Sequence, residues 1–297
     1  MCTSLTLTAN DQTVLLARTM DFPNVDPWVP RSFAAQTTWQ PVYGDAQVTQ
    51  TRIVGASRHL NGHDLLGDGL NADGLACAEL YLPHAVVHYY HTPQTGRINL
   101  TPQDFIMWVL SGHKTVAEVV AELPNVALVA SVWFAENKVY PFHWLIADQT
   151  GASVVIEPTT LTLRASPNSV GVLTNTPVLA NHEKRLLAFL NVPELANLGP
   201  AATEWVQQGR ELPTGPVPTN RFIRTAINRW GHPTPITAEG AISAAFDYLN
   251  QVVIPKQPGR QPRNHNFTHY RCVIDLTHLT YFHIPTATNK LSKTVIS

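Results

Sequence analysis

The apolar positions at the start of the chain follow two rhythms. In "CTSLTLTANDQTVLLARTMDF", Leu5 and Leu7 alternate with threonines, which predicts a strand with one face in a core. "AND" supplies turn chemistry, and the apolar run in "TVLLAR" predicts a second, buried strand. A hairpin of the two returns Arg18 and Asp21, beyond the second strand, to the neighbourhood of Cys2.

Further strands are predicted at "GLACAELYL", "FHWLIAD", "ASVVIEP", "LTLRA" and "VGVLTN", the last four at hairpin spacing. A period near 3.6 predicts helices at "TPQDFIMWVLSG", with Thr101 as cap and Gly112 as stop, and at "TVAEVVAEL". Two more fit "HEKRLLAFL" and "TNRFIRTAINRW", the latter capped by Thr219 or Asn220, and "YRCVIDLTHLTYFHI" closes the chain as a hairpin. Runs of strands interleaved with helical pairs predict an α+β protein, sheets packed with helices outside, in a single domain over residues 1–297. Residues 191–220, irregular and rich in Pro and Gly, read as a long loop or an oligomer arm.

Composition narrows the possible partners. Of 297 residues 44% are hydrophobic and only 14% charged, against about a quarter charged in a typical globular protein. The chain therefore buries much surface, in a thick core or against sister subunits. A net charge of −1 without a Lys/Arg run argues against nucleic acid. The start lacks a basic region followed by an apolar stretch, so no secretory signal is expected. The most apolar region is broken by Glu118, Glu122 and Pro124, too soon for a membrane span. Cys2, Cys77 and Cys272 have no metal-type spacing and are odd in number, which fits reduced thiols in a cytoplasm.

The candidate chemistry starts at Cys2. Removal of Met1 would leave thiol and free α-amine on one residue. An α-amine, with a reference pKa of about 7.7–8.0, is a competent base beside its own sulfur. A nearby guanidinium favours a thiolate, and a carboxylate can hold the amine. Arg18 and Asp21 are those residue types, although alone they read more often as a surface Arg and a turn Asp. Asn175 ends the apolar run of "VGVLTNTP", where a carboxamide is placed to donate to an oxyanion; by itself it is more often a turn residue. The pairs His59/His63 and His84/His88 have a four-residue spacing that can bind zinc on a helix. Neither carries the carboxylate of a catalytic metal helix, and both read better as partly exposed loop histidines.

Together these pieces resemble the choloylglycine hydrolase family of N-terminal nucleophile enzymes, which includes bile salt hydrolases and penicillin V acylases. The resemblance rests on "MCTSLTL", "LLARTMDF", "ELYLP", "HWLIADQTGASVVIE", "VGVLTNTP", "NRFIRTAI" and "YRCVIDLTHLTYF", in that order over nearly the whole chain. It implies a four-layer αββα sandwich, a thioester acyl-enzyme on Cys2, no cofactor and no metal, and a homotetramer. It further implies that Arg18 sits beside the sulfur and Asp21 holds the α-amine. Asn175 and Tyr81 form the oxyanion hole, and a further site arginine is Arg221, with Arg224 one turn away as the alternative. Many relatives read Asn-Asn-Pro where this chain has Asn175-Thr176-Pro177. Many bile salt hydrolases carry Asn where this chain has Tyr81, and penicillin V acylases tend to carry Tyr. Penicillin V is thus the expected substrate, with conjugated bile salts or N-acyl homoserine lactones as alternatives. Phe22, Trp28, Trp133 and Phe134 are candidates for an apolar pocket, or plain core. A non-catalytic binding protein on the same fold would be expected to have lost Cys2 or its supports, and all are present.

Overall fold

The computed structural model describes residues 2–23, 28–60, 62–133, 137–257 and 266–296. Met1 and Phe134 lie outside them. The chain forms two compact units: residues 1–25, 168–278 and 282–292 make one, and residues 26–167, 279–281 and 293–297 the other.

The first unit is built on the hairpin that the opening pattern predicts. Thr3–Thr8 and Val14–Phe22 pair antiparallel, Thr3 opposite Thr19 and Ser4 opposite Arg18. Neighbouring strands run in the order Val172–Leu173, Thr3–Thr8, Val14–Phe22, Phe267–Asp275 and Thr280–Pro285. The last two are the closing pair legible in the sequence. Eight of the nine residues of Val14–Phe22 are buried, so both faces of this central strand are covered. Helices Pro218–Gly231 and Ala238–Asn250 pack on the first strands, and Leu179–Leu190 and Leu198–Gln207 pack on Pro218–Gly231.

Two expectations change here. Residues 191–220 are not loop throughout: they hold the helix Leu198–Gln207. Its Gly199-Pro200 pair, which suggests a break, lies in the first turn, where a missing N–H leaves no intrahelical bond unmade. The helix "TNRFIRTAINRW" starts at Pro218 rather than after a Thr219 or Asn220 cap, because Pro218 takes the first helical position. Its last residue, Gly231, meets the neighbouring helix closely: a Cβ there would lie 2.6 Å from the Ala202 carbonyl oxygen.

In the second unit the strand order is Ala165–Pro167, Ser153–Ile156, Phe142–Asp148, Leu75–Tyr81, Asp68–Asn71, Ile53–Leu60 and Val29–Phe33, with His63–Leu66 also paired to Ile53–Leu60. Helix Phe105–Gly112 covers Leu75–Tyr81 and Asp68–Asn71. It stops at Gly112 as expected but begins later than Thr101, whose hydroxyl instead donates to Asp104 Oδ2 at 2.8 Å. Helix Val116–Glu122 starts on Thr115, whose hydroxyl accepts from the Glu118 N–H.

Candidate active site

Cys2 immediately precedes the first strand and is 4% exposed. Its backbone nitrogen donates to Asn175 Oδ1 at 2.7 Å, and its sulfur lies 3.7 Å from the Asp21 carbonyl oxygen. Asn175 follows the short strand Val172–Leu173, which pairs with Leu5 and Ser4. The sheet edge thus brings the carboxamide to Cys2. The site residues of this unit come from three parts of the chain: the opening hairpin, the segment after Leu173, and helix Pro218–Gly231.

Arg221 ties them together. Its Nη1 donates to the Cys2 carbonyl oxygen at 2.5 Å and to Thr3 Oγ1 at 2.6 Å. Its Nη2 donates to Asn175 Oδ1 at 2.8 Å, and its Nε to the Pro216 carbonyl at 2.9 Å. The side chain is fully buried, and burial holds its pKa below the ordinary guanidinium value against the opposing charge of Asp21. Arg224 binds the carbonyl oxygen of Pro213 at 2.5 Å, near the surface. Of the two arginines the sequence offered, Arg221 is the one at Cys2.

Two donors on Asn175 Oδ1, from Cys2 and Arg221, fix the orientation of the carboxamide. The Nδ2 end is then the one that presents N–H groups. That is the orientation an oxyanion donor needs.

Asp21 is 1% exposed. Thr268 donates to its Oδ1 at 2.6 Å and Thr19 to its Oδ2 at 3.2 Å; Thr19 Oγ1 in turn accepts from the Thr3 N–H at 3.1 Å. Burial raises the Asp21 pKa above 3.8, and Arg221, the Thr268 hydrogen bond and Arg18 oppose the rise. Asp21 was expected to hold the Cys2 nitrogen; the atom 2.7 Å from that nitrogen is Asn175 Oδ1. Thr268 reaches Asp21 because the strand register slips between Thr268 and Tyr270. Such bulges re-aim side chains near sites.

Arg18 is fully buried and lies opposite Ser4. Its Nε donates to the Thr19 carbonyl at 3.2 Å, and its Nη2 reaches Met20 Sδ at 3.5 Å. Strand alternation puts Arg18 and Met20 on one face and Thr19 and Asp21 on the other. Extending the alternation across the pair by one residue places Cys2 on the face of Arg18. Phe22 ends the same strand, half-buried, and its carbonyl oxygen is 3.0 Å from His269 Nε2.

The remaining candidates belong to the second unit. Tyr81 is the last residue of its strand, opposite Phe142, and is 38% exposed. Trp28 is buried beneath the Arg58 guanidinium, 5.4 Å from its ring centre. Trp133 is buried with His63 edge-on at 5.6 Å. His84 and His88 are exposed and outside any helix or strand. No helix among the described residues is long and apolar enough to cross a membrane.

The sequence reading missed the hydroxyl partners Thr3, Thr19 and Thr268, and also His182. The only available signal was alternation: Thr19 and Asp21 are two apart on one strand and so share a face.

Comparison with solved structures defines the class. The chain matches a C2A variant of the conjugated bile acid hydrolase from Clostridium perfringens with a TM-score of 0.84 and 25% identity, covering 100% of this chain and 92% of that one. It matches the penicillin V acylase from Agrobacterium tumefaciens with a TM-score of 0.74 and 21% identity, covering 99% and 86%, a likeness of fold. The fold is thus that of the α+β N-terminal nucleophile hydrolases. The family model for linear amide C–N hydrolases, choloylglycine hydrolase family, matches residues 2–296, and the chain belongs to that family. It is a hydrolase acting on linear amide C–N bonds. Among curated relatives, it is 32% identical over 242 residues to the bile salt hydrolase/transferase of Clostridium perfringens, 77% of this chain and 72% of that protein. It is 26% identical over 280 residues to the conjugated bile acid hydrolase of Lactobacillus acidophilus, covering 86% and 83%.

Proposed function

We propose that the chain is a cysteine-nucleophile amidohydrolase whose mature form begins at Cys2. The observation that carries this reading is the clamp on Cys2: its nitrogen 2.7 Å from Asn175 Oδ1, and its carbonyl 2.5 Å from Arg221 Nη1. A buried cysteine held at both backbone ends by buried side chains is a positioned nucleophile rather than a frayed terminus. Crystal structures of the C2A and R18L variants of the Clostridium perfringens hydrolase carry substitutions of the same residue types at the same numbers as Cys2 and Arg18 here.

In this reading the Cys2 sulfur attacks the amide carbonyl carbon, and the α-amine takes the thiol proton. Asn175 Nδ2 donates to the oxyanion. The C–N bond breaks as the α-amine passes its proton to the leaving nitrogen, leaving a thioester. Water then adds to the thioester carbonyl with the amine again as base, releasing the acid and restoring the thiol. Arg18 and Arg221 supply positive charge around Cys2, Asp21 balances that charge, and Asn175 Oδ1 holds the amine.

Penicillin V is the proposed substrate, on the strength of Tyr81. At about a third identity, overall similarity leaves the pocket open to change, whereas a Tyr at this position is what penicillin V acylases tend to carry. Conjugated bile salts are the second reading, favoured by the bile salt hydrolases among the relatives. A cytoplasmic homotetramer completes the proposal, supported by the low charge content. The test is turnover of penicillin V and glycocholate by Cys2→Ala and Cys2→Ser. Loss in the first and a small residue of activity in the second is the expected result. Wild-type rates in Cys2→Ala remove the nucleophile.

A further inference from the structure

His182 occupies a position where the pattern of its helix calls for an apolar residue. The buried row of Leu179–Leu190 is Leu179, His182, Leu186 and Leu190, and His182 has no exposed surface. Its Nε2 lies 3.0 Å from the Asn175 carbonyl oxygen and 3.1 Å from Thr174 Oγ1. A carbonyl oxygen only accepts, so Nε2 carries the proton. The Thr174 hydroxyl spends its own hydrogen on the Pro218 carbonyl at 3.1 Å, and therefore also accepts from Nε2. The hydrogen bonds alone thus fix His182 with its proton on Nε2.

The ring is held as well as the proton. It stacks on Phe222, centroids 4.7 Å apart and planes 10° from parallel. Phe222 adjoins Arg221, and Pro218 opens the helix that carries Arg221. One imidazole therefore holds the Thr174 hydroxyl and the Asn175 carbonyl while it stacks on the helix whose arginine grips Asn175 Oδ1 and Cys2. Asn175 is fixed from two sides: its side chain by Arg221 and its carbonyl by His182.

We infer that His182 is a positioning residue for amide hydrolysis, acting through Asn175 to aim the Nδ2 donor at the oxyanion. The inference rests on the oxyanion role proposed for Asn175. His182 reaches no reacting atom, and its N–H on Nε2 is present whether or not the ring is charged. Its work is geometric. Misplacing a transition-state donor by about 1 Å can lower a rate by roughly a hundredfold.

The test compares His182→Phe, which keeps a ring on Phe222 but has no donor, with His182→Gln, whose amide N–H can reach the place of Nε2. His182→Phe should lower kcat by roughly tenfold to a hundredfold with KM changed by less than about threefold, because the Asn175 donor used in the transition state is no longer held in place. His182→Gln should recover most of kcat. An unchanged kcat in His182→Phe, or a His182→Gln enzyme as slow as His182→Phe, overturns the inference. If His182→Phe fails to fold, Thr174→Val carries the test: it removes the hydroxyl between Nε2 and Pro218 and should lower kcat by a few-fold, and a wild-type kcat there also overturns it. Asn175→Ala and Cys2→Ala in the same series separate the two claims. Full activity in either defeats the reading of the site, whereas their loss with a wild-type His182→Phe defeats the role of His182 alone.

Discussion

The backbone nitrogen of Cys2 lies 2.7 Å from Asn175 Oδ1 across 173 residues of sequence. The same oxygen accepts from Arg221, so two donors fix the carboxamide, and the proposed oxyanion donor is its Nδ2. Asn175→Ala should therefore lower kcat by roughly 10²–10³-fold. Asn175→Asp is the more discriminating variant. It keeps an acceptor for Cys2 and Arg221 but loses the donor, and should be nearly as slow while still folded. Steady-state kinetics with circular dichroism on both variants checks this, and a near-wild-type kcat in Asn175→Asp removes the donor role.

Arg221 and Arg224 should separate in stability. Arg221→Met leaves the Cys2 carbonyl, Thr3 Oγ1 and Asn175 Oδ1 without their shared donor and strips a buried countercharge from Asp21. A loss of about 3–5 kcal/mol in unfolding free energy is expected. Arg224→Met removes bonds to surface carbonyls and should cost about 1 kcal/mol. Denaturant titration of the two variants reads the difference, and equal losses would contradict the assignment of Arg221.

Burial raises the pKa of Asp21, so as pH falls the site loses this carboxylate above the ordinary carboxylate range. The acid limb of kcat/KM should accordingly lie above 3.8. Stability runs the other way. The folded chain keeps this proton longer than the unfolded one, so the contribution is present below 3.8 and is lost as pH rises through the folded value. Asp21→Asn should remove this component from the Tm profile at acid pH while lowering turnover. An acid limb at or below 3.8 would contradict the raised pKa.

Tyr81 tests substrate choice. An aromatic pair contributes about 0.5–1.5 kcal/mol beyond burial, or roughly 2- to 13-fold in kcat/KM. Tyr81→Asn should move the ratio of kcat/KM for penicillin V over glycocholate toward the bile salt by that factor. A wild-type enzyme that prefers glycocholate by tenfold or more, with a ratio untouched in Tyr81→Asn, would favour the bile salt reading.

Local rules made the ends of the site legible and left its middle dark. The hairpin of Thr3–Thr8 and Val14–Phe22 follows from alternation and turn chemistry, and Asn175 was visible because a carboxamide ended an apolar run before a turn. Thr268 was invisible because its bond to Asp21 depends on a register slip between strands far apart in sequence. His182 was hidden by composition, since a histidine in a helix with Glu183, Lys184 and Arg185 reads as a solvated face. Helix Ala238–Asn250 escaped notice because four alanines and a Gly240 in its first turn blur the apolar stripe. Strand Ile53–Leu60 did too: Gly55 and Ala56 are small where a strand rule expects bulk, and a Cβ at Gly55 would collide with the Asp68 carbonyl.

The central claim is that Cys2, freed of Met1, carries the acyl group. Intact-mass spectrometry of enzyme quenched during penicillin V turnover tests it in one measurement. The account requires a chain lacking Met1, with part of the population heavier by one phenoxyacetyl group that localises to Cys2 and is removed by hydroxylamine. A fully active enzyme that retains Met1, or an acyl group found on another residue, would contradict it.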